Sequence, residues 1–413
     1  MGKVVERDGL EIIMIRLLNR ILKYYGYVIT VAFVLLFYSN ILIYIFAIDI
    51  SLILPRYYIY IFTLLTAPYL FSYRISKNFI TAPLLLWCFT YLCIVTVWYI
   101  PDSQTVMIQD LFMQRIGAVI FLTLSLFVIS NVQYGVNTVR WVILICVLLA
   151  VINNLYEIFH PFSFVPPGYE FSRMERAAGF YINPNQSGAA LVLGLIFSVG
   201  LVPKIYRVPY TILTLLGVLL TFSRAAILGW FVVVTFMVKQ KTLRGKDCLI
   251  GLVFITATGL MLTPLLLDFI EVERGLSLVD VHERIGWFGS LGEISVDASQ
   301  EERLVLARRS WDLFVNHPFI GNGMGSTERW SERTSTHNMY LYFMADYGII
   351  GAFFLPLLVL SATCLARGQA RRIAIPFSVF VLFWGFFSHN IVGEYYFLLS
   401  FALMAMVSAK SPM

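Results

Sequence analysis

Three side chains draw attention by type and position. Arg224 lies in the run Thr221-Phe222-Ser223-Arg224-Ala225-Ala226, between two short apolar segments. A guanidinium at membrane depth costs about 2.5–3.5 kcal/mol on insertion scales. A chain that keeps one there needs an anionic partner for it, and no acid lies within the hairpin. Arg303 opens RLVLARRSWDLF, which has helical apolar spacing. Arg308 and Arg309 occupy other faces of that helix and are further substrate-binding candidates. His337 and Asn338 stand between a polar loop and the aromatic start of the next span, with Tyr340, Tyr342 and Phe343 close behind. A neutral imidazole at such a boundary can take a proton from a hydroxyl near neutral pH.

A fourth group precedes these, in RMERAAGFYINPNQSGAALVLG from Arg173 to Gly194. Asn183-Pro184-Asn185 has the chemistry of a turn. Asn185 or Ser187 is expected to cap the helix that follows, and the Gly and Ala residues allow close helix packing. Arg173 and Arg176 read either as surface-loop arginines or as phosphate contacts. Asn183, Asn185 and Asn338 join them as candidate substrate-binding groups. The plain alternatives are a capped loop-to-helix junction, an arginine that snorkels to water and a structural histidine.

His317-Pro318 ends the Arg303 helix, because proline restricts the residue before it. Gly321, Gly323 and Gly325 then make a flexible turn. With no strand before them they are not a dinucleotide fingerprint. Asp346, at a span edge, is expected to orient a neighbour. His389, Asn390 and Glu394 form a further polar cluster at the outer end of a hairpin. No spacing matches a zinc helix or a magnesium site, so no metal or other cofactor is expected.

The elements that must position these groups are membrane helices. The chain has 413 residues, 59% hydrophobic and only 13% charged, against roughly 25% charged in soluble proteins. Continuous apolar runs of about 20 residues indicate helices rather than barrel strands. Twelve spans are expected, near 27–48, 57–73, 79–100, 111–130, 139–159, 185–203, 208–222, 225–239, 247–267, 342–365, 373–388 and 395–409. The charged N-terminus runs into a long apolar span with no small-residue cleavage site, so no cleavable signal peptide is expected. The five cysteines fall in spans or near cytoplasmic ends, which argues against disulfides.

Charge fixes the orientation. With both termini in the cytoplasm, most of the 30 basic residues lie inside, including the run Lys239, Lys241, Arg244 and Lys246. Only Glu6, Asp8, Glu11 and Asp247 of the 24 acids accompany them. A single crossing through 208–239 would put that basic run outside. Two crossings with an outer turn at Ser223-Arg224 are therefore favoured. All five histidines, Arg173, Arg176, Arg224, Glu394 and the loop 268–336 then face outward, and the chemistry is expected there. The whole chain reads as one integral membrane domain, with 268–336 as an outer subdomain between the ninth and tenth spans. The net charge of +6 is explained by topology, so nucleic acid is not an expected partner.

In these motifs the sequence resembles the O-antigen ligase and polymerase superfamily, over roughly residues 170 to 395. The resemblance rests on the Arg/Gly/Asn-Pro-Asn junction, the Ser223-Arg224 turn, the spacing from Arg303 to HPFIGNGMG, and His337-Asn338-x-Tyr-Leu followed by Asp-Tyr-Gly-Ile-Ile-Gly. It implies an all-α, polytopic bundle of the GT-C-like kind, in a bacterial inner membrane, with the active site facing the periplasm. It implies a metal-independent, inverting glycosyltransferase. Arg224 and Arg303 would contact the pyrophosphate of an undecaprenyl-pyrophosphate-linked glycan donor, and His337 would activate the acceptor hydroxyl. The leading expectation is a ligase that transfers the glycan to lipid A–core. A repeat-unit polymerase, whose acceptor is another lipid-linked glycan, is the alternative. A flippase is a third reading, but it would place polar residues at mid-membrane in paired broken helices.

Overall fold

The computed structural model describes residues 2–49, 53–72, 76–132, 134–160, 163–168, 176–253, 256–257, 298–329 and 336–410. Arg173 and most of the expected 268–336 subdomain lie outside the described residues. So does most of the ninth expected span, 247–267.

Every regular element among the described residues is helical. The first seven helices are α1 (Gly2–Tyr38), α2 (Ile41–Ile48), α3 (Pro55–Ser72), α4 (Lys77–Ile80), α5 (Pro83–Tyr99), α6 (Val106–Asn131) and α7 (Gly135–Phe159). Then come α8 (Pro184–Ser198), α9 (Arg207–Leu220), α10 (Arg224–Lys239) and α11 (Ala298–Asn316). The last five are α12 (Met339–Tyr347), α13 (Ile349–Ala352), α14 (Phe354–Thr363), α15 (Gly368–Trp384) and α16 (Tyr395–Ala409). Among the described residues, four stretches are long and apolar enough to cross a membrane: Arg20–Tyr38, Val106–Asn131, Gly135–Phe159 and Pro184–Leu201. Large apolar side chains such as Leu64, Leu86, Phe89, Ile152 and Leu228 are exposed on the helix faces, as a lipid-facing surface requires. This is a membrane helical bundle.

Two helices form its centre. From Ser187 to Ser198, α8 is buried on every face, and so is α16 from Tyr396 to Ser408. Small residues make the enclosure of α8 possible. A Cβ on Gly194 would lie 2.1 Å from Val147, and one on Gly188 would lie 2.5 Å from the Cβ of Ala226. Polar anchors fix the packing. The Tyr38 hydroxyl donates to the carbonyl of Ala190 (2.9 Å), and Arg140 donates to that of Phe197 (2.8 Å).

Several expected features change. Residues 27–48 do not form one helix, because Asn40 takes a left-handed conformation (φ 62) between α1 and α2 and its amide donates to the carbonyl of Phe180 (3.2 Å). Asparagine tolerates that region better than most residues. The run 342–365 is also broken. Gly348 (φ 63) ends α12, and the short α13 precedes α14. The cap of α8 is Asn183 rather than Asn185 or Ser187. Its side chain accepts from the Asn185 N–H at 2.9 Å, while Pro184 takes the first helical position. The pair 208–222 and 225–239 does form two helices, α9 and α10, which pack on each other across the turn at Thr221–Ser223.

Candidate active site

The starts of four helices gather at one end of the bundle. The α8 and α10 starts are tied through Asn185. Its side-chain oxygen accepts from the Ser223 hydroxyl (2.8 Å) and from Arg176 (3.0 Å). Arg176 also donates to the Thr221 carbonyl at 3.0 Å. Ser223 is the N-cap of α10, and half-buried Arg224 is its first residue. The structure thus brings Arg176 and Asn185 to the turn that carries Arg224, while Asn183 caps α8 just before them.

The α8 start also reaches α16. The Gln186 amide donates to the buried carboxylate of Glu394, the residue before α16. Burial pushes the Glu394 carboxyl up to about 7, although the Gln186 bond opposes that rise. Glu394 ends the connection from α15, and that connection carries His389. It also receives α12, whose Met339 N–H donates to the Gly385 carbonyl at 2.8 Å.

His337 sits beside this connection. Asn338 caps α12, its side-chain oxygen accepting from the N–H groups of Tyr340 (3.0 Å) and Leu341 (3.1 Å). His337 itself is left-handed (φ 48), a conformation that a non-glycine residue holds only when its surroundings impose it. Its ring meets that of His389 edge to face, with centroids 5.5 Å apart. The Tyr342 ring lies 6.1 Å from that of His389. Burial, His337 and Arg115 together depress His389 to about 3, so its imidazole is uncharged.

Arg115 was not among the candidates read from the sequence. It lies well inside α6, with its guanidinium over the rings of Tyr342 (5.3 Å) and Phe343 (5.6 Å). It donates to the Tyr342 hydroxyl at 2.5 Å, and its buried Nε has no hydrogen-bond partner among the described residues. The signal was available: a lone arginine in the apolar span 111–130 invites the same question as Arg224.

Arg303, Arg308 and Arg309 are exposed on α11. That helix buries Leu306 and Ser310 and packs on α12. At 3.6 residues per turn Arg303 lies on the stripe of Leu306 and Ser310, whereas Arg308 and Arg309 project from other faces. The Gly321–Gly325 turn after α11 is a clamp. The Asp346 carboxylate accepts from the N–H groups of Gly325 (3.1 Å) and Ser326 (2.9 Å) and from the Ser326 hydroxyl (2.7 Å). Asp346 therefore orients the loop that fastens α11 to α12. Among the described residues no three His, Cys, Asp or Glu side chains gather as metal ligands.

This end of a helical membrane protein carries Arg224, at the start of α10, and a pair of imidazoles. Residues 209–355 match the protein family described as O-antigen ligase, and that segment contains Arg224, Arg303, Arg308, Arg309, His337 and Asn338. The match makes that segment similar to O-antigen ligases, and it covers well under half of the chain. No curated protein matches the chain.

Proposed function

We propose that this protein is a glycosyltransferase that moves a glycan from undecaprenyl pyrophosphate to a sugar hydroxyl of lipid A–core at the periplasmic face of the inner membrane. The observation that carries the reading is the convergence of the Arg224 turn and His337 at one end of the bundle, both inside the matched segment. The starts of α8, α10, α12 and α16 lie at that same end. Helix N-termini favour anions, and a diphosphate is the anion that the donor brings.

In the proposed reaction the acceptor oxygen attacks the anomeric carbon from the side opposite the diphosphate. The new C–O bond forms as the carbon–oxygen bond to phosphate breaks, with inversion. The electron pair leaves on the diphosphate. Arg224 and Arg303 offset that charge as bidentate donors, a role a point-charge lysine fills less well. The acceptor proton passes to His337. A diphosphate is already a good leaving group, so no metal is required in this scheme and no acid need protonate it. Arg173, Arg176, Arg308, Arg309 and the asparagines Asn183, Asn185 and Asn338 are proposed to bind or frame the substrates.

Purified protein given the lipid-linked donor and lipid A–core tests this. New glycosidic product, lost in His337→Ala and Arg224→Ala variants that still insert in the membrane, supports it. Movement of donor across the bilayer without product would make it a flippase. Product only between two lipid-linked glycans would make it a polymerase.

A further inference from the structure

His389 lies outside the matched segment and has no role in the scheme above. Its Nδ1 is buried and meets no hydrogen-bond partner among the described residues. Buried polar atoms are nearly always paired, so one left open calls for an explanation. Its surroundings supply one. The ring stands edge to face against His337 at 5.5 Å. Behind it, Tyr342 approaches to 6.1 Å and is itself fixed by the guanidinium of Arg115. His389 thus has two rings close to it, that of His337 and that of Tyr342, the second held by the Arg115 cation.

We propose that His389 is a positioning residue for His337: its open Nδ1 accepts a hydrogen bond from the imidazole of His337 as that ring takes up the acceptor proton. The proposal rests on the reading of His337 as the base. The proton moves from the acceptor oxygen to one nitrogen of His337, and the N–H on the other nitrogen donates to Nδ1 of His389. His389 carries its own proton on Nε2 and exchanges none. An uncharged neighbour suits this work, since a second imidazolium would oppose the charge forming on His337. Arg115 and Tyr342 keep His389 in place and do not touch the reacting atoms.

Two substitutions separate this role from simple packing. His389→Phe keeps a ring in the same space but removes the nitrogen. His389→Asn loses the ring and keeps a polar atom near the position of Nδ1. With purified, membrane-reconstituted protein, donor and acceptor, kcat is expected to fall on the order of 10- to 100-fold in His389→Phe, the range seen when the partner that orients a functional imidazole is removed. KM for the donor is expected to stay put, and His389→Asn should recover most of the rate. Wild-type turnover in His389→Phe overturns the proposal, as does a variant order in which Phe is tolerated and Asn is not. Should His389→Phe fail to insert, a large loss in well-inserted His389→Asn overturns it as well. A parallel His337→Ala assay separates the two claims. Full activity there removes the base, and this proposal with it. An inactive His337→Ala beside an unimpaired His389→Phe removes only the role of His389.

Discussion

Gln186 and Glu394, 208 positions apart in the chain, are joined by a hydrogen bond from the amide to a buried carboxylate. The contact links the junction that carries Arg224 to the connection that carries His389. It gives the two halves of the proposed site a shared frame.

Burial raises the Glu394 carboxyl from its ordinary 4.5 to about 7. A carboxyl with a raised folded-state pKa holds its proton after the unfolded chain has lost its own. Stability is therefore expected to fall as pH rises from about 4.5 to about 7, by up to about 3 kcal/mol if the full shift applies. Glu394→Gln should flatten that slope. Thermal unfolding of both proteins in detergent across this window checks it. Parallel slopes would show that other groups dominate.

The Asn185 side-chain oxygen serves both Ser223 and Arg176. Asn185→Ala leaves a cap hydroxyl and a guanidinium short of an acceptor, and is expected to cost about 1–3 kcal/mol. If that anchor sets Arg224, kcat should fall with it. The measurement is turnover beside unfolding temperature. A stability loss without any rate loss would make the anchor structural only.

Gly321 (φ 72) has no room for a side chain, because a Cβ would sit 2.3 Å from the Asp346 carbonyl oxygen. Gly321→Ala is expected to destabilise the α11–α12 clamp by about 1–3 kcal/mol or more. Gly117 in α6 has nothing within 4 Å of such a Cβ. Gly117→Ala should be neutral, or stabilising by about 0.5–1 kcal/mol. Unfolding midpoints of the pair provide the comparison.

Arg115 donates to the Tyr342 hydroxyl and lies over two aromatic faces. Arg115→Ala is expected to cost about 1.5–3 kcal/mol, the worth of a hydrogen bond from a charged group. Arg115→Lys should recover only part, since an ammonium cannot supply the planar stack. Equal stability of the lysine variant and the wild type would contradict this.

Much of this arrangement was legible in the chain, and the exceptions have physical reasons. The bounds of α16 (Tyr395–Ala409) follow from an apolar run, and the charge rule separates α9 from α10. The break at Gly348 was hidden because Asp346-Tyr347-Gly348-Ile349-Ile350 sits in a largely apolar stretch, and only the left-handed turn reveals it. The role of Asp346 depends on Gly325 and Ser326 folding back onto it, which no local pattern specifies. Arg115 passed as a lone charge in a long span. His389 was visible as part of a polar cluster, but its contact with His337 crosses from one helix end to another.

The central claim is that Arg224, Arg303 and His337 serve one donor at one end of the bundle. Its most direct test is a structure of the protein with undecaprenyl pyrophosphate–glycan bound. The account predicts diphosphate oxygens about 3 Å from both guanidinium groups and the anomeric carbon facing His337. A diphosphate held away from Arg224 and Arg303, or an anomeric carbon out of reach of any hydroxyl that His337 could serve, would contradict it.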